Sequence, residues 1–451
     1  VASAAEQLAA NLNFAAFAKA TDLQKRIWFT LLALIAYRVG TFIPIPGIDP
    51  AAFEHAFQSQ QNGILGMFNM LSGGAVKRMA IFALNVMPYI SASIIIQLMS
   101  TSIPSLERLK KEGEVGRKQL NQYTRYLTLV LAMGQAFGIA AGLQASQGVV
   151  VTPGVQFVAS TVITLTGGTM FLMWLGEQIT ARGVGNGISL IIFAGIIADA
   201  PRIIFQTLAL ARAGDVNYFG VFLIAAVLIA AVFFIVFIER SQRRLVVQYP
   251  KRQVGNRMFM GESSFLPLKI NSAGVIPPIF ASSLLLLPQT VLTFSGMGAN
   301  APDWLQTALA YVGYGKPGHM ALYGLGIIFF SFFYTSIVFN PEETADNLRK
   351  YGGFLPGIRP GKKTAEYLDF VLTRLTVLGA AYITIVCLLP EVLISAYGVP
   401  FYLGGTSVMI VISVTLDTVA QIQSHLVAHQ YEGLIKRSKL RGSGGGTAVR
   451  R

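Results

Sequence analysis

Ten stretches of this chain are apolar over a length that can cross a hydrocarbon core, which takes roughly 20 residues as helix. They run at about 27–43, 79–103, 126–143, 155–176, 188–210, 218–238, 270–293, 321–339, 371–389 and 401–424. In lipid, each backbone N–H and C=O must be satisfied within the spanning element. Such stretches are therefore restricted to helices, and the chain to an all-α polytopic membrane protein. Asp199, Pro201 and Arg202 interrupt the fifth stretch, the least continuous of the ten. Only 12% of the 451 residues are charged, about half the usual share of roughly 25% in soluble domains. The single cysteine, Cys387, excludes an internal disulfide and a cysteine metal cluster. The first 20 residues are weakly amphipathic without a signal-peptide core, so the first span is expected to act as the membrane signal.

Basic residues set the orientation. They concentrate at 104–125 (Arg108, Lys110, Lys111, Arg117, Lys118, Arg125), at 239–269, at 340–370 and in the tail after 424. The loops at 144–154 and 390–400 hold none, and the long loop at 44–78 holds only Lys77 and Arg78. By the positive-inside bias both termini are expected to face the cytoplasm. A net charge of +14 confined to such loops favours anionic lipids and acidic or RNA-bearing partners over direct DNA binding. Ten spans divide into two pseudo-symmetric halves, 1–214 and 215–451. An odd number of spans per half inverts the second relative to the first. Pro88-Tyr-Ile-Ser-Ala-Ser93 and Pro278-Ile-Phe-Ala-Ser-Ser283 line up across the halves, with few identities.

A second feature narrows the function. Asn62, Gly63, Ile64, Leu65, Gly66, Met67, Phe68, Asn69, Met70, Leu71, Ser72, Gly73 and Gly74 form an apolar, Gly-bracketed piece too short to span. It stands directly before a stretch that can. A re-entrant half-helix at that depth needs a cavity or surrounding protein to satisfy its ends, although a surface helix is the plainer alternative. Pro88 in the second span, and Pro277 with Pro278 in the seventh, are expected to kink helices whose small residues allow a close seam. Of the lone charges, Arg38 and Arg374 are expected to snorkel, and Asp417 to meet an interior partner. Gly357–Thr364 is similar to a phosphate loop but has three residues between its glycines where four are needed, so no nucleotide or other cofactor is expected. His425 and His429 share a helix face without a third metal ligand. A secondary transporter would place ionisable groups at the midplane, and an enzyme would need convergent catalytic groups; the sequence offers neither set.

The strings FIPIPGID (Phe42–Asp49), FNMLSGG (Phe68–Gly74), MPYISASIIIQL (Met87–Leu98), QYTRY (Gln122–Tyr126), GTMFLMWLGEQIT (Gly168–Thr180), RGVGNGIS (Arg182–Ser189), AGVIPPIFASS (Ala273–Ser283), FNPEETADNL (Phe339–Leu348), PGIRPGKKT (Pro356–Thr364) and PFYLGGTS (Pro400–Ser407) resemble the bacterial SecY family, proteobacterial members most closely. That family comprises the channel subunits of the protein-secretion translocase. The resemblance, in order from about Lys25 to Leu440, implies ten helices whose halves hinge between spans five and six. It makes Asn62–Gly74 a re-entrant plug helix. It places an aliphatic pore ring on Val86, Ile90, Ile192, Ile279 and Ile410, with valine at 86 where relatives often carry isoleucine. It puts Ser91 and Leu287 at a lateral gate between spans two and seven. Lys251, Arg252, Arg257 and Arg359 would meet the SecA ATPase or a translating ribosome. The implied setting is the bacterial inner membrane, beside the small subunits SecE and SecG. The implied function is a non-enzymatic channel that passes unfolded secretory polypeptides, opened by signal sequences, and releases hydrophobic segments of nascent chains into lipid.

Overall fold

The computed structural model describes residues 20–49, 52–53, 69, 72–145, 148–213, 218–249, 252–254, 257–259, 263–294, 311, 316–397 and 405–442. Among these, ten helices of 16 residues or more stand where the ten spans are expected. Before the 214–217 stretch come α1 (Thr21–Gly40), α2 (Met87–Ser102), the short α3 (Pro104–Lys111), α4 (Glu114–Ala145), α5 (Val155–Arg182) and α6 (Gly187–Ala213). After it come α7 (Tyr218–Arg240), strands β1 (Gln242–Gln248), β2 (Arg252–Val254), β3 (Arg257–Phe259) and β4 (Ser263–Lys269), then α8 (Ile276–Phe294), α9 (Pro317–Val338), α10 (Pro341–Lys350), α11 (Lys362–Tyr397) and α12 (Gly405–Gly442). Each half thus contributes five long helices. Among the described residues, α4, α5, α11, α12 and the run from α9 into α10 are long and apolar enough to cross a membrane, and α2 with α3, bent by 104°, makes a sixth candidate. The bend follows from Pro104: Ile103 before it is driven to extended backbone (φ −103°, ψ 117°).

Outward faces are greasy, the reverse of a soluble protein. Ile163, Phe205, Phe222, Phe233 and Phe237 are each at least 70% exposed, a density of bare apolar surface that water does not tolerate. The main core joins both halves through Tyr37, Val86, Ile90, Ile192, Phe280, Ile327, Ile383 and Ile410.

Two sequence expectations change. The second span does not run as helix from 79: residues 81–86 are turns, and α2 begins at Met87. Pro88 therefore sits in the first turn, where its missing N–H would have had no partner anyway, and it starts the helix without kinking it. Pro277 and Pro278 do the same for α8. Conversely, α6 runs unbroken past Asp199 and Pro201.

The basic loops at 239–269 and 340–370 fold together. β1 and β4 pair antiparallel in the register Gln242↔Lys269 to Gln248↔Ser263, turning Leu245, Val247 and Leu268 inward. These pack on Leu355, Leu368 and Leu372. Gln248 and Phe354 exchange two backbone hydrogen bonds at 2.9 and 3.0 Å, clamping the hairpin to the other loop. At 36 residues, α11 is about 54 Å long, well beyond a hydrocarbon core of roughly 30 Å. Its first turns stand among these loops.

Candidate constriction, seam and docking surface

Four helices, two from each half, converge on one small cavity of about 10 Å³. Its wall holds Ile90 from α2, Ile192 from α6, Ile279 from α8 and Ile410 from α12. A cavity needs roughly 10–15 Å³ on this measure to take one water, so the four side chains close on each other almost completely. Val86 is fully buried in the same core but does not line the cavity; its neighbours Asn85 and Met87 do. Ser282 and Thr406 complete the wall. Sequence reasoning passed over Asn85, Ser282 and Thr406. Helical spacing could have found two of them, because Ser282 lies three residues after Ile279 and Thr406 four before Ile410, each on the same face. An aliphatic waist with few polar groups repels water and ions by dewetting, and offers a passing chain little to bind.

The seam expected between spans two and seven corresponds to α2 and α8, which pack against each other. Ser91 is buried on α2. Leu287 belongs to α8, and its side chain lies outside the described residues.

Of the expected plug, 62–68, 70 and 71 lie outside the described residues; Asn69 and Ser72–Gly74 lie within them. The latter turn is tied down. Gly73 and Gly74 take left-handed φ of 63° and 82°, which favour glycine. Arg38 Nη1 donates to the Gly73 carbonyl at 2.5 Å, and Tyr37 Oη to the Ser72 carbonyl at 3.2 Å. A Cβ on Gly73 would stand 2.9 Å from Gly195 Cα on α6, too close without a backbone shift. Arg38 and Arg78 also stack on Phe42, at 4.9 and 4.0 Å from its ring centre. Arg38 is thus a structural donor, not a snorkelling charge. Asp199, expected to break the fifth span, is buried instead within electrostatic reach of Arg202, Arg38, Arg78 and Lys77. Those cations offset part of the cost of a carboxylate at that depth.

On the basic loops, Lys251 lies outside the described residues. Arg252 and Arg257 stand on β2 and β3, opposite Phe259 and Val254. Arg359 is exposed on the 340–370 loop, its carbonyl accepting from Thr364 Oγ1 at 2.9 Å. Asp417, for which an interior partner is expected, is largely exposed, 3.9 Å from Lys269 at the foot of the hairpin. Arg374 lies 4.0 Å over the Phe370 ring.

Two bundles of five membrane helices meeting at an apolar waist, with a basic platform at one end, define a polytopic channel-type membrane protein. A family model described as SecY matches residues 80–419. The chain is 54% identical to "Protein translocase subunit SecY" of Escherichia coli (strain K12) over 94% of this chain and 96% of that one. The subunit of the same name from Rickettsia felis is 53% identical over 93% and 97%. This chain belongs to the SecY family. Among solved structures it is similar to "The structure of a protein conducting channel" (TM-score 0.63, 19% identity, 90% of this chain and 93% of that one). It is also similar to "Sec61 in the Canine ribosome-channel complex from the endoplasmic reticulum" (TM-score 0.60, 19% identity, 90% and 93%). At these identities the structural likeness speaks for the fold, which is the ten-helix channel fold.

Proposed function

We propose that the chain is a passive, gated conduit that moves unfolded polypeptides across the bacterial inner membrane and releases hydrophobic segments sideways into lipid. The observation that carries this reading is the meeting of Ile90, Ile192, Ile279 and Ile410, from both halves, around a cavity of about one water's size. A waist of this kind seals at rest, and can widen when the halves 1–214 and 215–451 hinge apart. Membership of a translocase-subunit family supports it.

Finer roles follow from the same reading. Asn62–Gly74 acts as the plug, hinged at the turn that Tyr37 and Arg38 hold. Ser91 and Leu287 flank the lateral gate between α2 and α8, which a signal sequence opens by binding the parted seam better than the closed one. The hairpin platform, with Lys251, Arg252, Arg257 and Arg359, docks an external engine, either the SecA ATPase or a ribosome. A ribosome-bound relative of the same fold supports the second. SecE and SecG complete the membrane complex, and both termini face the cytoplasm.

Cysteines at Ser91 and Leu287, in a Cys387→Ser background, test the gate. Oxidation should stop export of a precursor into proteoliposomes, and reduction should restore it. Undiminished export with the bridge formed would refute the gate.

A further inference from the structure

The β1–β4 hairpin is spliced directly between α7 and α8, and the joint at its base is polar and buried. Helix α7 ends at Arg240 and β1 begins at Gln242; β4 ends at Lys269 and α8 begins at Ile276. The Ile270 amide donates to the Ser241 carbonyl at 3.3 Å, carrying the pairing past the strand ends. One residue further, Asn271 is 3% exposed. Its Nδ2 donates to Glu239 Oε1, in the last turn of α7, at 2.6 Å, and to the Gly274 carbonyl at 3.1 Å. Gly274, with a left-handed φ of 64°, turns the chain toward α8. One side-chain amide thus ties the end of α7 to the start of α8. A third helix lies against this joint: a Cβ on Gly379 of α11 would stand 2.9 Å from the Ile270 carbonyl and 3.5 Å from Asn271 Cα. Tyr382, one turn along α11 on the same side, packs edge-on against Phe234 of α7, centroids 5.7 Å apart. Its hydroxyl is buried, makes no hydrogen bond, and lies within electrostatic reach of Glu239. Buried hydroxyls are rarely left so, and a carboxylate has acceptor sites for more than one donor.

We infer that Glu239 is a positioning residue with two stations: bonded to Asn271 it holds the start of α8 to α7, and bonded to Tyr382 it lets α8 part from α2. The first station is the one observed. This deepens the gate and platform readings and rests on both. A partner seated on the basic hairpin moves β4, and Asn271 is the second residue after that strand. When Asn271 leaves, Glu239 takes the Tyr382 hydroxyl in its place. One hydrogen bond is exchanged for another, and Asn271 keeps its bond to the Gly274 carbonyl, so no buried polar group is stranded in either state. That keeps the two states close enough in energy for docking to decide between them. The coupling therefore runs through an element with two discrete arrangements, without any change of protonation.

The test is the distance between spin labels at Met99 on α2 and Leu284 on α8, both exposed, in the purified membrane complex with a Cys387→Ser background. The docking probes are the SecA ATPase with a non-hydrolysable ATP analogue and an empty ribosome. In the wild type, at least one probe should raise the ratio of parted to closed seams roughly tenfold. Asn271 and Tyr382 are buried, so substitutions there touch no docked partner and should leave probe affinity unchanged. Asn271→Ala removes the first station: its ratio without a probe should already stand roughly tenfold above wild type, as loss of a hydrogen bond to a charged group implies. Tyr382→Phe removes the second: its ratio with the probe docked should fall roughly tenfold below wild type. In a Glu239→Ala background neither substitution should change the ratio further, because the acceptor common to both stations is gone. Only variants with wild-type circular dichroism and subunit co-purification are scored; Asn271→Leu, equally unable to donate, replaces Asn271→Ala if that variant fails them. A wild-type ratio that ignores both probes refutes the gate and platform readings, and this inference with them. A responsive wild type overturns the inference alone if the two substitutions shift the ratio in the same direction or not at all, or if their effects persist unchanged in the Glu239→Ala background.

Discussion

Arg38 illustrates how a single residue changes meaning once its surroundings are known. A lone arginine near a helix end is ordinarily read as reaching for the interface. Here its guanidinium is engaged by the Gly73 carbonyl and the Phe42 ring. That partner lies 35 residues along the chain, and no local pattern announces it. Removing the donor should free the turn. Arg38→Ala is expected to speed hydrogen exchange at the Gly74 amide, which bonds the Asn69 carbonyl at 2.8 Å, by about tenfold, as loss of a hydrogen bond to a charged group worth roughly 1.5 kcal/mol implies. Unchanged exchange would show that Tyr37 and the Gly195 contact hold the turn alone. The motifs single out the four isoleucines that line the cavity but not Asn85, whose left-handed φ of 50° is a property of the turn that precedes α2.

At the scale of elements, apolar length announced each long helix but not all of its ends: α4 starts at Glu114, α11 runs from Lys362 to Tyr397 and α12 runs on to Gly442, all well beyond the apolar stretch, whereas α2 starts inside its own. Its first expected residues, 79–86, are apolar enough for lipid yet are folded as turns and a bridge to Pro44, packed against α1, α4 and α5. Proline accounts for the boundary better than hydropathy does, since it is easily accepted only in a helix's first turn. The hairpin of β1 and β4 was read as loop. Its signal was present in the alternation around Leu245 and Val247, but seven-residue strands pairing across an intervening stretch are set by contacts with Phe354 and α11, which local pattern does not reveal. Helix α10 is the opposite case, written almost wholly in its own sequence. Asn340 accepts from the Glu342 and Glu343 amides at 3.1 and 3.4 Å, Pro341 opens the first turn, and Arg349 with Lys350 close the last. Asn340→Ala should destabilise α10 by about 1 kcal/mol, read as faster amide exchange confined to Pro341–Lys350. A change spread through β1 and β4 would instead mean that the two loops unfold as one unit.

For the whole molecule, the decisive property is that two sets of five helices share one main core and, within it, bring four isoleucines together around one small cavity. Stability and function pull differently there. On the proposed reading, a well-packed aliphatic contact seals the membrane, yet must part for a chain many times wider than one water. Isoleucine meets both demands, since its contacts are strong only at close range and leave no unpaired polar group when broken. The most direct test halts a secretory precursor in mid-passage and asks what it touches. Single cysteines at Ile192, Ile279 and Ile410, in a Cys387→Ser background, should crosslink to the halted chain, while cysteines at the exposed positions Ile163 and Phe237 should not. Crosslinks at the outer positions with none at the waist would contradict the account.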